Sequence, residues 1–195
     1  MLERAAYYGV FVVITLYLSN VLGFTDIQAA TIAGVFSACL YLLPTFSGAL
    51  ADKIGFRKSM LLAFTLLSLG YLGLGLFPNF LASTGLVEYG YVTKFTGLQE
   101  SGYRYGIIPI MILIIVGGSF IKSVISGTVA KETDEKSRAR GFAIFYGMVN
   151  IGAFSGKVLV TPLRDAMGHE GMIVLNYFSA GMTFLALIAI YLFYK

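Results

Sequence analysis

Six runs of apolar residues, at about 4–23, 28–51, 57–78, 106–130, 141–163 and 171–194, organise the 195-residue chain. Each approaches the roughly 20 residues that a helix needs to cross the hydrocarbon core of a bilayer. The runs show no alternation of apolar and polar positions, so barrel-type strands are not expected, and a lone strand would leave its backbone unsatisfied in lipid. The pattern therefore predicts an all-α, polytopic bundle of six membrane-spanning helices, taken as one domain over residues 1–195. Connections are short except for Asn79 to Tyr105, an outer loop with glycines and mixed polar text.

Composition sharpens this picture. Hydrophobic residues make up 57% of the chain and charged residues 12%, against about 25% charged in ordinary soluble domains. The lone cysteine, Cys39, lies inside an apolar run and has no partner for a disulfide or thiolate site. The lone histidine, His169, falls in a short connection, so neither a histidine metal site nor a Ser-His-Asp triad is expected. No cofactor, metal or enzymatic activity is expected. No cationic leader precedes the first apolar run, so no secretory signal is expected.

Charge decides orientation. Lys53, Arg57 and Lys58 share one side of the membrane with Lys131, Lys136, Arg138 and Arg140, and with Arg4 and Lys195 at the ends. The other side has only Lys94, Arg104 and Arg164. The positive-inside bias puts both termini in the cytoplasm, with the plasma (inner) membrane as the expected location. The same asymmetry accounts for the net charge of +4, which gives no case for nucleic-acid binding.

Polar groups inside the apolar runs carry the candidate chemistry. The segment LERAAYYGV places Arg4, Tyr7 and Tyr8 on one helical face with Glu3 beside them. Counting about 1.5 Å per residue from the outer helix ends, Tyr41, Asn150, Lys122 and Tyr8 lie about 20–22 Å deep and Arg4 about 28 Å. Four helices thus present polar groups near one level. A charge at that depth is costly and normally finds a partner, which leads to the expectation that Glu3 pairs with Lys122, with Arg4 close by. The alternative has Glu3 and Arg4 as the interfacial start of a helix and Lys122 snorkelling inward. Lys157, reckoned nearer the outer end of its run, is expected to snorkel to the outer interface.

Two stretches carry family resemblances. The turn GALADKIGFRK resembles the loop signature of the major facilitator superfamily, and the resemblance implies a conformational latch formed by Gly48, Asp52, Gly55, Arg57 and Lys58. Gly55 suits the tight reversal, and Asp52 is expected to meet a helix N-terminus or a basic neighbour. Within that superfamily, ERAAYYG, YLLP, GGSFIKS and AIFYGMVNIGAF resemble segments of proton-coupled oligopeptide transporters. The resemblance implies that Glu3, Arg4 and Lys122 couple protons and that Tyr8, Tyr41, Lys122 and Asn150 line a site for short peptides. It also implies alternating access against a missing C-terminal half, since such transporters have twelve core helices and this chain has room for six. The partners would then be protons, a short peptide, the lipid bilayer and that second half.

The chain also departs from the pattern. The first glutamate of the first-helix signature would fall before Met1, so the chain is expected to begin within a motif. Ala5 stands where the family has phenylalanine, Phe11 where many members carry a second arginine, and Ser123 where proline usually follows the lysine. The missing arginine leaves the recognition of a peptide carboxylate open. Two other readings stay in play: half of a superfamily carrier for sugars, nucleosides or drugs, and a non-transporting membrane domain.

Overall fold

The computed structural model describes residues 1–85 and 102–194, with Arg164 and His169 described by backbone alone. The described residues form seven α-helices and no strand: α1 (Leu2–Leu16), α2 (Asp26–Leu42), α3 (Pro44–Ile54), α4 (Phe56–Ser83), α5 (Ile107–Lys131), α6 (Arg138–Met167) and α7 (His169–Phe193). The four segments Phe56–Ser83, Gly102–Lys131, Arg138–Met167 and Glu170–Phe193 are each long and apolar enough to cross a membrane. A fifth span arises by joining α2 and α3, which meet at a 44° bend. The first apolar run is the 15 residues of α1 continued by a five-residue π turn, Tyr17–Val21.

The expected runs and the observed helices differ where backbone chemistry intervenes. The run 28–51 is not one helix but two, because Pro44 has no amide hydrogen and its ring crowds the preceding turn, so α2 ends and α3 restarts there. Pro78 did not end the third run as its position suggested. It sits inside α4, which continues to Ser83, and the Leu74 carbonyl that it deprives of a helical donor takes a hydrogen bond from the Tyr17 hydroxyl. Membrane helices tolerate proline when a neighbouring side chain satisfies the freed group. Of the expected outer loop, residues 86–101 lie outside the described residues, and Gly102–Gly106 is a 3-10 turn leading into α5.

Local signals set the helix starts. Thr25 caps α2 through a reciprocal box in which the Gln28 amide donates to the Thr25 hydroxyl oxygen (3.3 Å) and the Thr25 amide to the Gln28 side-chain oxygen (3.2 Å). Between α3 and α4 the chain reverses through Gly55 alone, at φ 90°, a conformation that disfavours any residue with a Cβ.

Apolar burial gives little reason for helices to associate in lipid, so close packing of small residues has to supply it. The α6 glycines Gly152 and Gly156 lie on α1: a Cβ at Gly152 would meet the Met1 carbonyl oxygen at 2.6 Å, and one at Gly156 would overlap the Ala5 carbonyl. Between α4 and α5, Gly117 lets the helix come against the Ala63 carbonyl, where a Cβ would stand 2.9 Å away. Polar bonds tie α7 in from two sides, with the Ser68 hydroxyl donating to Thr183 (3.1 Å) and the Ser179 hydroxyl to the Ala6 carbonyl (3.3 Å). The core runs through α1, α4, α5 and α7, including fully buried Tyr17, Leu67, Tyr71 and Ile114. By contrast, α6 and α2 keep many large apolar side chains exposed, among them Tyr41, Ile144, Tyr146 and Phe154.

Gly156→Ala is expected to lower stability by about 1–3 kcal/mol, because the added methyl meets backbone that cannot rotate away. Gly147 has open space around it, so Gly147→Ala is expected to be neutral or to stabilise by a few tenths up to about 1 kcal/mol. Thermal unfolding of the two variants in detergent checks the contrast.

Candidate functional site

One cleft collects most of the polar groups singled out within the apolar runs. It has a volume of about 450 Å³ and is lined by Arg4, Tyr7 and Tyr8 from α1, Tyr41 from α2, Lys122 from α5 and Tyr146 from α6, with apolar residues between them. The i, i+3, i+4 spacing of the first three on α1 aims them at it, as the helical period requires. Glu3 lies behind this wall, 4% exposed, against a second and more apolar hollow.

The expected Glu3–Lys122 pair does not form. Glu3 is held instead by its neighbour Arg4: the guanidinium Nε donates to one carboxylate oxygen at 2.6 Å and a terminal nitrogen to the other at 3.1 Å. The planar fork matches both oxygens at once, so the guanidinium holds the acid by two charge-assisted bonds. Lys122 finds a different acceptor. Its ammonium donates to the Leu40 carbonyl at 3.2 Å, the carbonyl whose helical donor would be the amide of residue 44. Pro44 has no such amide, so the motif YLLP creates an orphan acceptor inside the membrane and Lys122 satisfies it.

Aromatic faces connect these charges. The Lys122 ammonium stands 3.7 Å from the centre of the Tyr41 ring and 5.6 Å from that of Tyr7, and the Arg4 guanidinium lies 5.4 Å from the Tyr7 ring. Tyr7 therefore bridges the ion pair and the lysine, each cation being attracted to the negative face of the ring. Tyr8 meets Tyr7 edge to face at 5.2 Å, and Phe11 stacks on Tyr7 at 5.4 Å. The ring of Phe11 thus occupies the α1 position where the resemblance would place a second cation. Ser123, the other departure from the family pattern, donates its hydroxyl to the Pro44 carbonyl and faces Gly48, so α5 is stapled to the bend on two adjacent residues.

Asn150 stands apart from this cleft. It is exposed on α6, one turn beyond Tyr146 on the same stripe of the helix. Lys157 also departs from expectation. Because α6 runs to Met167 rather than to about 163, the residue lies about 15 Å from the outer end at 1.5 Å per residue. Its ammonium rests over the Tyr8 ring at 5.5 Å instead of reaching for the outer surface.

In the turn between α3 and α4, Arg57 donates to the Tyr191 carbonyl at 3.3 Å and so caps the end of α7. Asp52 and Lys58 are exposed, Asp52 on α3 before the reversal and Lys58 on α4 beyond Gly55, and no ion pair of Asp52 forms among the described residues.

Sequence reasoning missed three tyrosine roles. Tyr146 lines the cleft from α6, and its spacing of four residues from Asn150 was the available signal. The Tyr7 and Tyr71 hydroxyls are buried without a hydrogen-bond partner among the described residues, and Tyr71 lies within electrostatic reach of Glu3 and Arg4. No periodicity marked Tyr71, which sits in the glycine-rich part of α4. Among the described residues no group of histidine, cysteine or carboxylate side chains is placed to hold a metal ion.

The model of the Major Facilitator Superfamily matches residues 1–195, and the chain belongs to that superfamily. It is 31% identical over 166 residues to dipeptide and tripeptide permease A of Salmonella typhimurium, covering 82% of this chain and 28% of that protein. It is 25% identical over 196 residues to dipeptide and tripeptide permease B of Photorhabdus asymbiotica, covering 99% of this chain and 35% of the permease. A structure solved to explain substrate recognition in proton dependent oligopeptide transporters superimposes on the whole chain with a TM-score of 0.76 at 25% identity, over 39% of its own length. A bacterial homologue of the human drug peptide transporters PepT1 and PepT2 gives a TM-score of 0.73 at 25% identity, over 40% of its length. The chain thus spans between 28% and 40% of the length of these relatives, and they agree with the resemblance read from ERAAYYG, YLLP and GGSFIKS.

Lys122→Met would leave the Leu40 carbonyl without a partner and is expected to cost about 1–3 kcal/mol of stability. In a Pro44→Ala background the alanine amide serves that carbonyl, so the same lysine substitution is expected to cost less than half as much. A double-mutant cycle on unfolding in detergent reads the coupling, and equal losses in the two backgrounds would contradict it.

Proposed function

We propose that this chain, residues 1–195, is the N-terminal six-helix half of a proton-coupled secondary transporter that imports di- and tripeptides by alternating access. It works as a carrier and not as an enzyme, in the plasma (inner) membrane with both termini in the cytoplasm. Its partners are protons, a short peptide, the surrounding lipid and a C-terminal half that closes the open side of the cleft. The observation that carries this reading is the meeting of Lys122, Arg4, Tyr7, Tyr8 and Tyr41 on one cleft between apolar helices. Ionisable groups within membrane helices belong to ion and substrate pathways far more often than to inert packing.

The reading assigns each residue a task. Lys122 releases the Leu40 carbonyl to take the substrate carboxylate, a charge-assisted bond in exchange for a neutral acceptor. Tyr8 and Tyr41 flank the peptide, and Asn150 meets it from α6 on the face that the second half covers. Glu3 is the proton acceptor: protonation removes its charge, loosens the fork with Arg4, and leaves a cation free to steer the substrate. The buried hydroxyls of Tyr7 and Tyr71 stand ready as donors to the carboxylate when Arg4 moves away. Gly48, Asp52, Gly55, Arg57 and Lys58 act as the latch, of which the Arg57 bond to the end of α7 is the part already closed.

The test is uptake of labelled dialanine into vesicles by the complete transporter carrying this chain, with a proton gradient imposed. Proton-driven accumulation is expected, and Lys122→Ala is expected to reduce it by roughly ten-fold or more, the worth of one hydrogen bond to a charged group. Glu3→Gln is expected to leave exchange of peptide across the membrane but to abolish its response to the gradient. Uptake indifferent to Lys122→Ala would remove the assigned role.

A further inference from the structure

Lys157 is the intramembrane charge for which the preceding assignments have no use. The side chain is exposed on α6 and no ion pair to it forms among the described residues, where the one carboxylate at this depth, Glu3, is engaged by Arg4. Helical side chains lean toward the N-terminus of their helix, and the α6 N-terminus carries the basic cluster Arg138 and Arg140 while Lys157 stands near the other end. The lean therefore takes the ammonium away from that end and over the Tyr8 ring, 5.5 Å from its centre. Its level is set by the adjoining Gly156, which packs on the α1 backbone between Ala5 and Gly9.

Two ammonium groups with no carboxylate partner among the described residues consequently lie along one strip, Lys122 lining the cleft and Lys157 beside it on the ring of Tyr8. Lys122 sits over Tyr7, Tyr7 meets Tyr8, and Lys157 sits over Tyr8, so a continuous strip of aromatic faces joins the two cations. Tyr146, Asn150 and Lys157 fall on one stripe of α6, separated by four and seven residues, and all three are exposed. A ring face offsets only part of the cost of a charge in a site sealed from water. When a facing half closes over this strip, a substrate with two carboxylates can meet both ammonium groups, whereas a neutral dipeptide brings one.

Resting on the peptide-transport reading, we infer that Lys157 is a second carboxylate-binding residue that favours peptides with an acidic side chain. Lys122 takes one carboxylate of the substrate and Lys157 the other, with Tyr8 between them. The residue decides which peptides enter well, and it does so by charge and not by pocket shape.

The experiment measures half-saturating concentrations for uptake of alanyl-glutamate and of dialanine by the complete transporter, in native form and as Lys157→Gln, Lys157→Arg and Lys157→Glu. Native protein is expected to prefer the acidic peptide by roughly ten-fold, the worth of one charge-assisted bond. That ratio is expected to collapse toward one in Lys157→Gln, survive in Lys157→Arg, and invert in favour of dialanine in Lys157→Glu. A native preference absent from the start, or a ratio unmoved by Lys157→Gln, overturns the inference. Because each variant is judged on a ratio, a lower yield of folded protein leaves the outcome readable. Failure of proton-driven uptake for every dipeptide would instead overturn the transport reading.

Discussion

A proline inside a membrane helix leaves a carbonyl that no water can reach, and the structure of this chain depends on how such carbonyls are satisfied. An unsatisfied polar group in hydrocarbon costs several kcal/mol. Pro44 frees the Leu40 carbonyl and Lys122 of α5 takes it; Pro78 frees that of Leu74 and Tyr17, just beyond α1, takes it. Each bond ties a bent or interrupted helix to a different helix. In the first case the donor is a charge that would itself be expensive to leave alone, so one contact relieves two penalties. A cation is thereby held at mid-depth, facing the cleft, by a neutral acceptor it can leave.

The remainder of the site is arranged around that cation. Arg4 closes on Glu3 with two bonds, which separates the acid from Lys122 and keeps one negative and two positive groups distinct within a short distance. Tyr7 sits between Arg4 and Lys122 and offers each a ring face. Close helix contact makes this spacing possible, since Gly152 and Gly156 bring α6 onto the start of α1. Small residues on one helix thus determine where charged residues on another can stand. The open side of the cleft, with exposed Tyr41 and Tyr146, and the neighbouring α6 stripe of Asn150 and Lys157 are what a facing half would cover in a superfamily whose transporters work by rocking two halves about a midplane site.

The all-helical character of the chain was legible in the sequence, because an apolar run of membrane length admits little besides a helix, and the helical period fixes which residues share a face. The face shared by Arg4, Tyr7 and Tyr8 could be read in this way. The partner of Lys122 could not. Counting residues gives depth but not rotation, and a nearby carboxylate looked a better acceptor than a backbone carbonyl until the loss of the Pro44 amide was weighed. The same calculation would have placed Tyr17 against Leu74. Lys157 was misjudged because the ring it rests over, Tyr8, belongs to another helix and cannot be read from its own run. Tyr71 carried no signal, since a tyrosine among glycines and leucines reads as packing until its hydroxyl is seen to lie near an ion pair.

Solid-state NMR of the chain in lipid, with nitrogen-15 at the lysine ammonium and carbon-13 at the leucine carbonyls, measures the central contact directly. The 3.2 Å bond from Lys122 to the Leu40 oxygen places that nitrogen about 4 Å from the carbonyl carbon, well inside dipolar range. A dephasing curve assigned to this pair and lost in Lys122→Met is the expected result. An ammonium showing no coupling to Leu40 while the helices remain intact would contradict the account at its base.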